Sequence, residues 1–418
     1  MTMADTNRDQ QVSTRRRMLT RISAALVTMG LGKATASTPS GGLKSVQIRD
    51  VARIDAAGGD GWLARDHSGR LWQVLEDGST RLLGEGLAAE GALNARHGRI
   101  AGRSIDGHLW VRSDAAASAG AERSSARLAP HGGLCVLPLA VIGLIEQEGL
   151  TRLARFEPDA RNRWQVVAQS TDAVLPDAVP VVADLDGRDD GGHVAVLAGP
   201  DRNRYPHAVL GDDVEATRVL WLDRHSLQPL RTLRLDEPEV LEDRHLRPWR
   251  LPDGRQGLVT VRSGPSGAQL AVIAASLHAG SALEIAAAGP YIGTRNRWLS
   301  PASVEPRGAE LWAVHTPHIG GVLHRYRATG AGLTAEPVAS GLTNHRLGAR
   351  DLDVTALMGR LLLLPSQNWQ QVRVVDLETK AIVSTFQADE PVLQLVTAPN
   401  GRAVAMLTMS GLSIYAMR

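Results

Sequence analysis

From about residue 43 onward, apolar positions fall in short runs broken by Gly, Asp, Asn and Pro. No stretch beyond the N-terminal region carries a 3.6-residue apolar stripe over ten or more positions. Short runs bounded by turn residues predict strands. Trp62-Leu63-Ala64-Arg65-Asp66 and Leu71-Trp72-Gln73-Val74 flank a turn containing Gly69, and the pattern recurs as Arg99–Arg103 and His108–Val111 about Gly107. Gly at such turns supplies the positive φ that a hairpin needs. In the second half a strand, a polar turn and a more apolar strand repeat over 180–197, 248–261, 301–314, 351–364 and 394–407. Their turn glycines (Gly187, Gly254, Gly308, Gly359, Gly401) are spaced roughly 40–70 residues apart, the range of propeller blades with variable loops.

The pattern therefore predicts an all-β fold: a single β-propeller over 43–418 with four-stranded blades. Inner strands are expected near 50, 87, 133, 178, 244, 297, 347 and 392. Eight blades would average about 47 residues each; seven is the alternative. The last unit, ending in Gly411–Arg418, is one strand short. Leu43–Arg49 can complete it as the outer strand, which would close the ring and remove a free edge.

Composition adds limits. The chain has 418 residues, 43% hydrophobic and 22% charged, enough for a large core. Of its 46 basic residues 43 are Arg, and its formal charge is +2. Residues 1–36 hold six basic and two acidic residues, a net +4. Ser13-Thr14-Arg15-Arg16-Arg17-Met18-Leu19 precedes a mildly apolar stretch and then Ala34-Thr35-Ala36, a pattern that resembles a twin-arginine signal peptide. The apolar stretch is too short to span a bilayer. This reading divides the chain into a leader over 1–36, a short linker over 37–42 and the propeller over 43–418. Cleavage after Ala36 leaves the remainder at a formal −2, which removes the main support for nucleic-acid binding. The expected location is periplasmic or secreted. One cysteine, Cys135, excludes an internal disulfide and any multi-cysteine metal site.

Val182-Ala183-Asp184-Leu185-Asp186-Gly187-Arg188-Asp189-Asp190 resembles an FG-GAP (VCBS-type) repeat of the integrin-α-like propellers. In that family the turn runs D-x-D-G-D-G-x-x-D/E and its carboxylates can hold calcium, which takes six to eight oxygens. The resemblance makes Asp184, Asp186, Asp189 and Asp190 candidate calcium ligands. The loop is two residues shorter than the family pattern and lacks the middle Asp-Gly; a hydrogen-bonded Asp-Gly turn is the alternative. Segments 289–301, 316–321 and 344–352 are similar to those of exported bacterial FG-GAP propellers.

Candidate binding residues cluster in those segments: Arg295, Arg297, Trp298, His318, Asn344, His345, Arg350 and Asp351. At inner-strand starts they can converge on the channel mouth, where Arg and His suit an anionic group and Trp298 or Trp369 can stack on a sugar. Alternatively they pin loops and fill the core. His315, His318, His324 and His345 raise a zinc or copper site, but a spacing of three on a strand puts His315 and His318 on opposite faces. No G-x-S-x-G, H-E-x-x-H, G-x-G-x-x-G or phosphate-loop motif occurs, and Cys135 lies in an apolar strand. The expected function is non-catalytic recognition or scaffolding of a protein, small-molecule or glycan ligand in the bacterial envelope. The alternative is a periplasmic enzyme acting on a glycan or other anionic substrate with the Arg/His/Asp group.

Overall fold

The computed structural model describes residues 43–46, 48, 50–113, 122–188, 191–277, 282–330, 332–352 and 354–416. The leader and linker expected over 1–42 lie outside these residues, as do Asp189 and Asp190.

Short apolar runs between glycine turns become antiparallel strands in sequence order. β1 (Leu43–Val46) opens the described chain. β2–β5 (Val51–Ala56, Trp62–Asp66, Leu71–Val74, Thr80–Gly84), β6–β9 (Leu93–Arg96, Arg99–Arg103, His108–Ser113, Glu122–Arg127) and β10–β13 (Leu134–Val136, Val141–Gln147, Leu150–Pro158, Trp164–Gln169) are four-stranded meanders. β14–β17 (Val181–Ala183, His193–Asp201, Glu215–Leu222, Pro229–Arg234) and β19–β22 (Arg247–Arg250, Gln256–Gly264, Gly267–Ala275, Leu283–Ala288) are two more. The two-residue β18 (Val240–Leu241) joins these last two meanders into one nine-stranded sheet. β23–β26 (Leu299–Val304, Glu310–His315, Val322–Thr329, Gly332–Ser340) and β27–β30 (Ala356–Met358, Leu361–Pro365, Gln371–Asp376, Ala381–Gln387) follow. The final sheet holds β31–β33 (Gln394–Thr397, Ala403–Thr408, Gly411–Ala416), with β1 on the outer edge of β33 in the register Leu43↔Tyr415. Among the described residues the helical element is one 3-10 turn, Ala208–Leu210.

The hairpins and the five strand–turn–strand repeats of the sequence all pair as expected. Two inner strands begin later than their pattern implied: 93 rather than 87, and 356 rather than 347. In both cases the apolar residue taken for a strand start belongs to a clasp or loop between sheets. Leu87 donates its N–H to Gly69 O and bridges to Ser104 of the next sheet. Leu128, Val174 and Leu342 repeat this, donating to Gly107, Thr151 and Gly321 and bridging to Ile145, Ala198 and Ser366. Each clasp residue is buried, so burial and two-sided pairing bind successive sheets at the same place. Gly69 (φ +82°) shows the cost of this closeness. A Cβ there would lie 2.6 Å from Leu87 O.

Strands alternate in direction, so three features share one end of each sheet: the start of its first strand, its second turn and the exit of its last strand. The clasps tie these ends together as an upper face. The core lies between sheet faces, and the first and last sheets share one cluster: Ile54, Trp62 and Val74 pack with Ala405, Leu407, Leu412 and Ile414. Trp62 is fully buried there and donates Nε1–H to Val396 O at 2.8 Å. Trp62→Ala is expected to cost about 3–5 kcal/mol and Trp62→Phe about 1–2, as read by denaturant unfolding. Equal, small losses would mean that the first and last sheets do not depend on this contact.

Candidate functional site

Loops before the inner strands carry the polar groups of the upper face. A cavity of about 670 Å³ opens among them, lined by residues from six of the meanders: Arg53 and Asp55; Glu90 and Asn94; His131 and Leu134; Val179; Arg244 and His245; and Arg350 and Asp351. Arg53 and Asp351, 298 positions apart, pair through Nη1 and Oδ1 at 2.5 Å. Arg350 Nη2 reaches Asp212 Oδ2 at 2.7 Å. Arg244 Nε donates to Asp177 O and faces Asp177 Oδ2 at 3.0 Å; its Nη2 donates to His131 O at 2.8 Å, and its Nη1 to Arg350 O. One guanidinium thus satisfies carbonyls of three different loops. Burial raises the Asp177 carboxyl above its ordinary value while Arg244 opposes the shift. Burial also acts to raise the Asp351 carboxyl, but Arg53 and Arg244 prevail and hold it below the usual range.

Beneath this mouth, a polar chain crosses four meanders. His345 Nε2–H donates to Ala349 O at 2.8 Å, so its Nδ1 carries the lone pair and accepts from His318 Nε2–H at 2.9 Å. His318 lies parallel to Trp298, with centroids 5.9 Å apart, and Trp298 meets His345 edge-on at 4.8 Å. Trp298 Nε1–H donates to Glu242 O. The buried Glu242 carboxylate accepts from Ser263 Oγ at 2.5 Å and pairs with His207 Nδ1. Burial raises both Glu242 and the nearby Glu215, which repel one another; His207 offsets part of the rise for Glu242. His207 belongs to the connection between β15 and β16, which runs from 202 to 214, whereas the corresponding connection between β20 and β21 has two residues. This long connection lies across its neighbours. Tyr205 OH accepts from Asn296 N–H, Val209 O accepts from Gly348 N–H, and Asp212 holds Arg350.

The candidate residues therefore separate into three groups. Arg350 and Asp351 line the cavity. Trp298, His318 and His345 form the buried polar chain, and Asn344 lies fully buried beside it, donating to Ser300 Oγ at 3.0 Å and to Pro301 O at 2.7 Å. Arg295 and Arg297 are exposed on the preceding loop, Arg295 over the Tyr205 ring at 4.7 Å. Trp298 is 3% exposed, which leaves no face for stacking on a sugar; Trp369 carries Arg346 on its ring at 4.0 Å.

The four histidines divide into two pairs. His315 stacks on His324 at 3.5 Å and bonds Tyr326 OH, apart from His318 and His345. β24 ends at His315 and His318 lies in the turn after it, so the separation comes from that turn and not from alternation along a strand. No group of three or more His, Cys, Asp or Glu side chains with ligand geometry occurs among the described residues. At the calcium-like loop, Asp184 Oδ1 accepts from Gly187 N–H at 2.8 Å and Asp186 pairs with Arg188 at 3.1 Å. Cys135 is buried in β10, where burial pushes its thiol up to about 11. Arg53, His131, His207, Glu242, Arg244 and His245 were not singled out from the sequence. The unusual length of the β15–β16 connection was a local sign of His207 alone.

No family model matches the chain, and no curated protein matches it in sequence. Solved structures do. BamB from Moraxella catarrhalis is similar with a TM-score of 0.53 and 13% identity, over 90% of this chain and 98% of that one. The computationally designed Ika8 protein gives 0.56 and 11%, over 89% and 98%. Sqt1 of Saccharomyces cerevisiae gives 0.57 and 12%, over 90% and 98%. BamB and Sqt1 are β-propellers, and the succession of four-stranded meanders places this chain in the same fold class. Likeness at this identity carries the fold alone.

Burial, with each other's proximity, lowers His318 to about 4; burial likewise lowers His345 to about 4. The unfolded chain, with imidazoles near 6.5, therefore takes up protons first as pH falls. Their contribution is intact above pH 6.5 and declines between 6.5 and 4. Urea unfolding across that window should show falling stability, with a shallower slope in His318→Phe, which keeps the stack on Trp298. Identical slopes would exclude the pair as the cause.

Proposed function

We propose that this chain is an exported recognition or scaffold module of the bacterial envelope, an FG-GAP-type β-propeller that binds a protein partner through its upper face. Eight successive meanders, the β1–β33 pairing and the core shared by the first and last sheets support eight blades closed by β1, rather than seven. No helix among the described residues is long and apolar enough to cross a membrane. Asp184 Oδ1 closes its turn on Gly187 N–H, the hydrogen-bonded form that stands as the alternative to a calcium loop there.

The observation that carries this reading is the upper face itself. Six meanders send residues into one cavity, and Ile105, Ile319, Leu347 and Met409, each 64–79% exposed, project from loops at that end. Leu139 and Leu277 are comparably exposed at the opposite end. Apolar tips around a polar centre suit a protein surface, because they supply burial while the polar centre gives register.

A photo-reactive residue at Ile319 or Leu347 should yield a discrete adduct in the producing bacterium, with none from Leu277. Equal labelling at all three positions, or turnover of a glycan by the purified protein, would overturn the reading. Export has its own test. Replacing Arg15 and Arg16 by Lys should retain the full-length chain in the cytoplasm, and unchanged export would exclude the twin-arginine route.

A further inference from the structure

The cavity at the mouth has an unequal hydrogen-bonding inventory, although its formal charges nearly balance. The carboxylates beside it, apart from Glu90 on the rim, are already engaged. Asp55 pairs through one oxygen with Arg53 and through the other with Arg65, Asp351 with Arg53, and Asp177 with both Arg244 and Arg350. The guanidiniums are not exhausted. Each has five N–H donors. Hydrogen bonds take Nη1 of Arg53 and Nη2 of Arg350, leaving Nη2 of the first and Nη1 of the second. The buried Nε of Arg350 has no hydrogen-bond partner, its carboxylate neighbour Asp177 lying 3.5 Å away.

Two imidazoles, His131 and His245, also line this space, and neither ring has a described hydrogen bond. Burial is the larger influence on both and keeps them neutral. Arg350 and Arg244 add to it at His131, and Arg247, Arg244 and Arg53 at His245. A neutral imidazole still donates one N–H. What the cavity offers is therefore a surplus of N–H donors, on guanidiniums and imidazoles, within a lining whose formal charges balance. Its volume of about 670 Å³ lies within the range of sites that enclose a small molecule.

We propose that this cavity binds a small organic anion, whose carboxylate or phosphate oxygens accept from His245, His131 and the remaining N–H groups of Arg53, Arg244 and Arg350. The proposal rests on the upper face being the working face and adds to it the class of ligand. Charge-assisted bonds from guanidinium to oxyanion are short and strong, and the small side chains around them leave room for a polar body. Glu90, exposed on the rim, opposes densely charged polyanions.

Calorimetry on the exported chain with glucuronate, glucose 6-phosphate and glucose tests this directly. Saturable binding of at least one of the two anions is expected, with none for neutral glucose. Which anion binds decides between carboxylate and phosphate. The ring resonances of His131 and His245 should move during the titration. A His131→Ala/His245→Phe double variant should bind at least tenfold more weakly with an unchanged unfolding midpoint. If that variant is destabilised, His131→Ala alone, at an exposed position, should still weaken binding several-fold.

Absence of saturable binding by both anions, equal binding of glucose, or wild-type affinity in the His131→Ala variant would overturn the proposal. Ile319→Asp/Leu347→Asp should remove the partner adduct and leave anion affinity unchanged, so the two readings fail separately.

Discussion

The guanidinium of Arg244 is the contact on which the upper face depends. It is only 12% exposed, and it joins carbonyls of the loops at His131, Asp177 and Arg350, with the Asp177 carboxylate beside it. These loops lead into three different sheets, and the one guanidinium ties their carbonyls together at the wall of the cavity. A buried cation is costly unless its N–H groups are matched, and here the matching is spread over backbone that has no other reason to meet. Arg65 does the same one sheet away, donating to Ala88 O and Gly91 O while pairing with Asp55. The abundance of arginine in this chain thus has a structural use, because a planar fork reaches several acceptors where an ammonium would serve as a point charge.

The long β15–β16 connection builds on that centre. By carrying Tyr205, His207, Val209 and Asp212 across to neighbouring sheets, it encloses Glu242 and Glu215 and lays Asp212 against Arg350. Burial of two neighbouring carboxyls, of which one pairs with a histidine, is unfavourable in isolation. It persists because the surrounding core of Trp249, Val261, Trp298 and Leu299 fixes the connection in place. The polar chain from His345 to Glu242 is consequently a feature of packing, with its side chains satisfied by one another. The space able to receive a ligand lies above it, among Arg53, His131, Arg244, His245 and Arg350.

Much of the architecture was legible along the chain because strand and turn chemistry are local. Glycines at turns and alternating apolar runs placed the hairpins, and the missing strand of the last unit pointed to residues 43–49, of which Leu43–Val46 pair with β33. Six inner-strand starts fell within a few residues of their expected positions. Leu87 and the loop after Asn344 misled because a clasp residue and a strand residue are equally apolar; they differ only in which sheet they touch. Trp298 and Asn344 stood out as candidates by residue type, yet their burial follows from neighbouring sheets and could not be read from their own segment.

By itself the sequence determined the class of structure: all-β, repetitive, with an arginine-rich polar complement and a single inert cysteine. Those properties follow from periodicity and composition, which act over a few residues. Tertiary structure alone decided which polar residues meet. Arg53 finds Asp351 across 298 positions, and Arg244 finds His131 and Arg350 across 113 and 106. Such pairings depend on how successive sheets are rotated and stacked, a geometry set by side-chain packing between faces. The cavity and its donors exist only once that packing is complete.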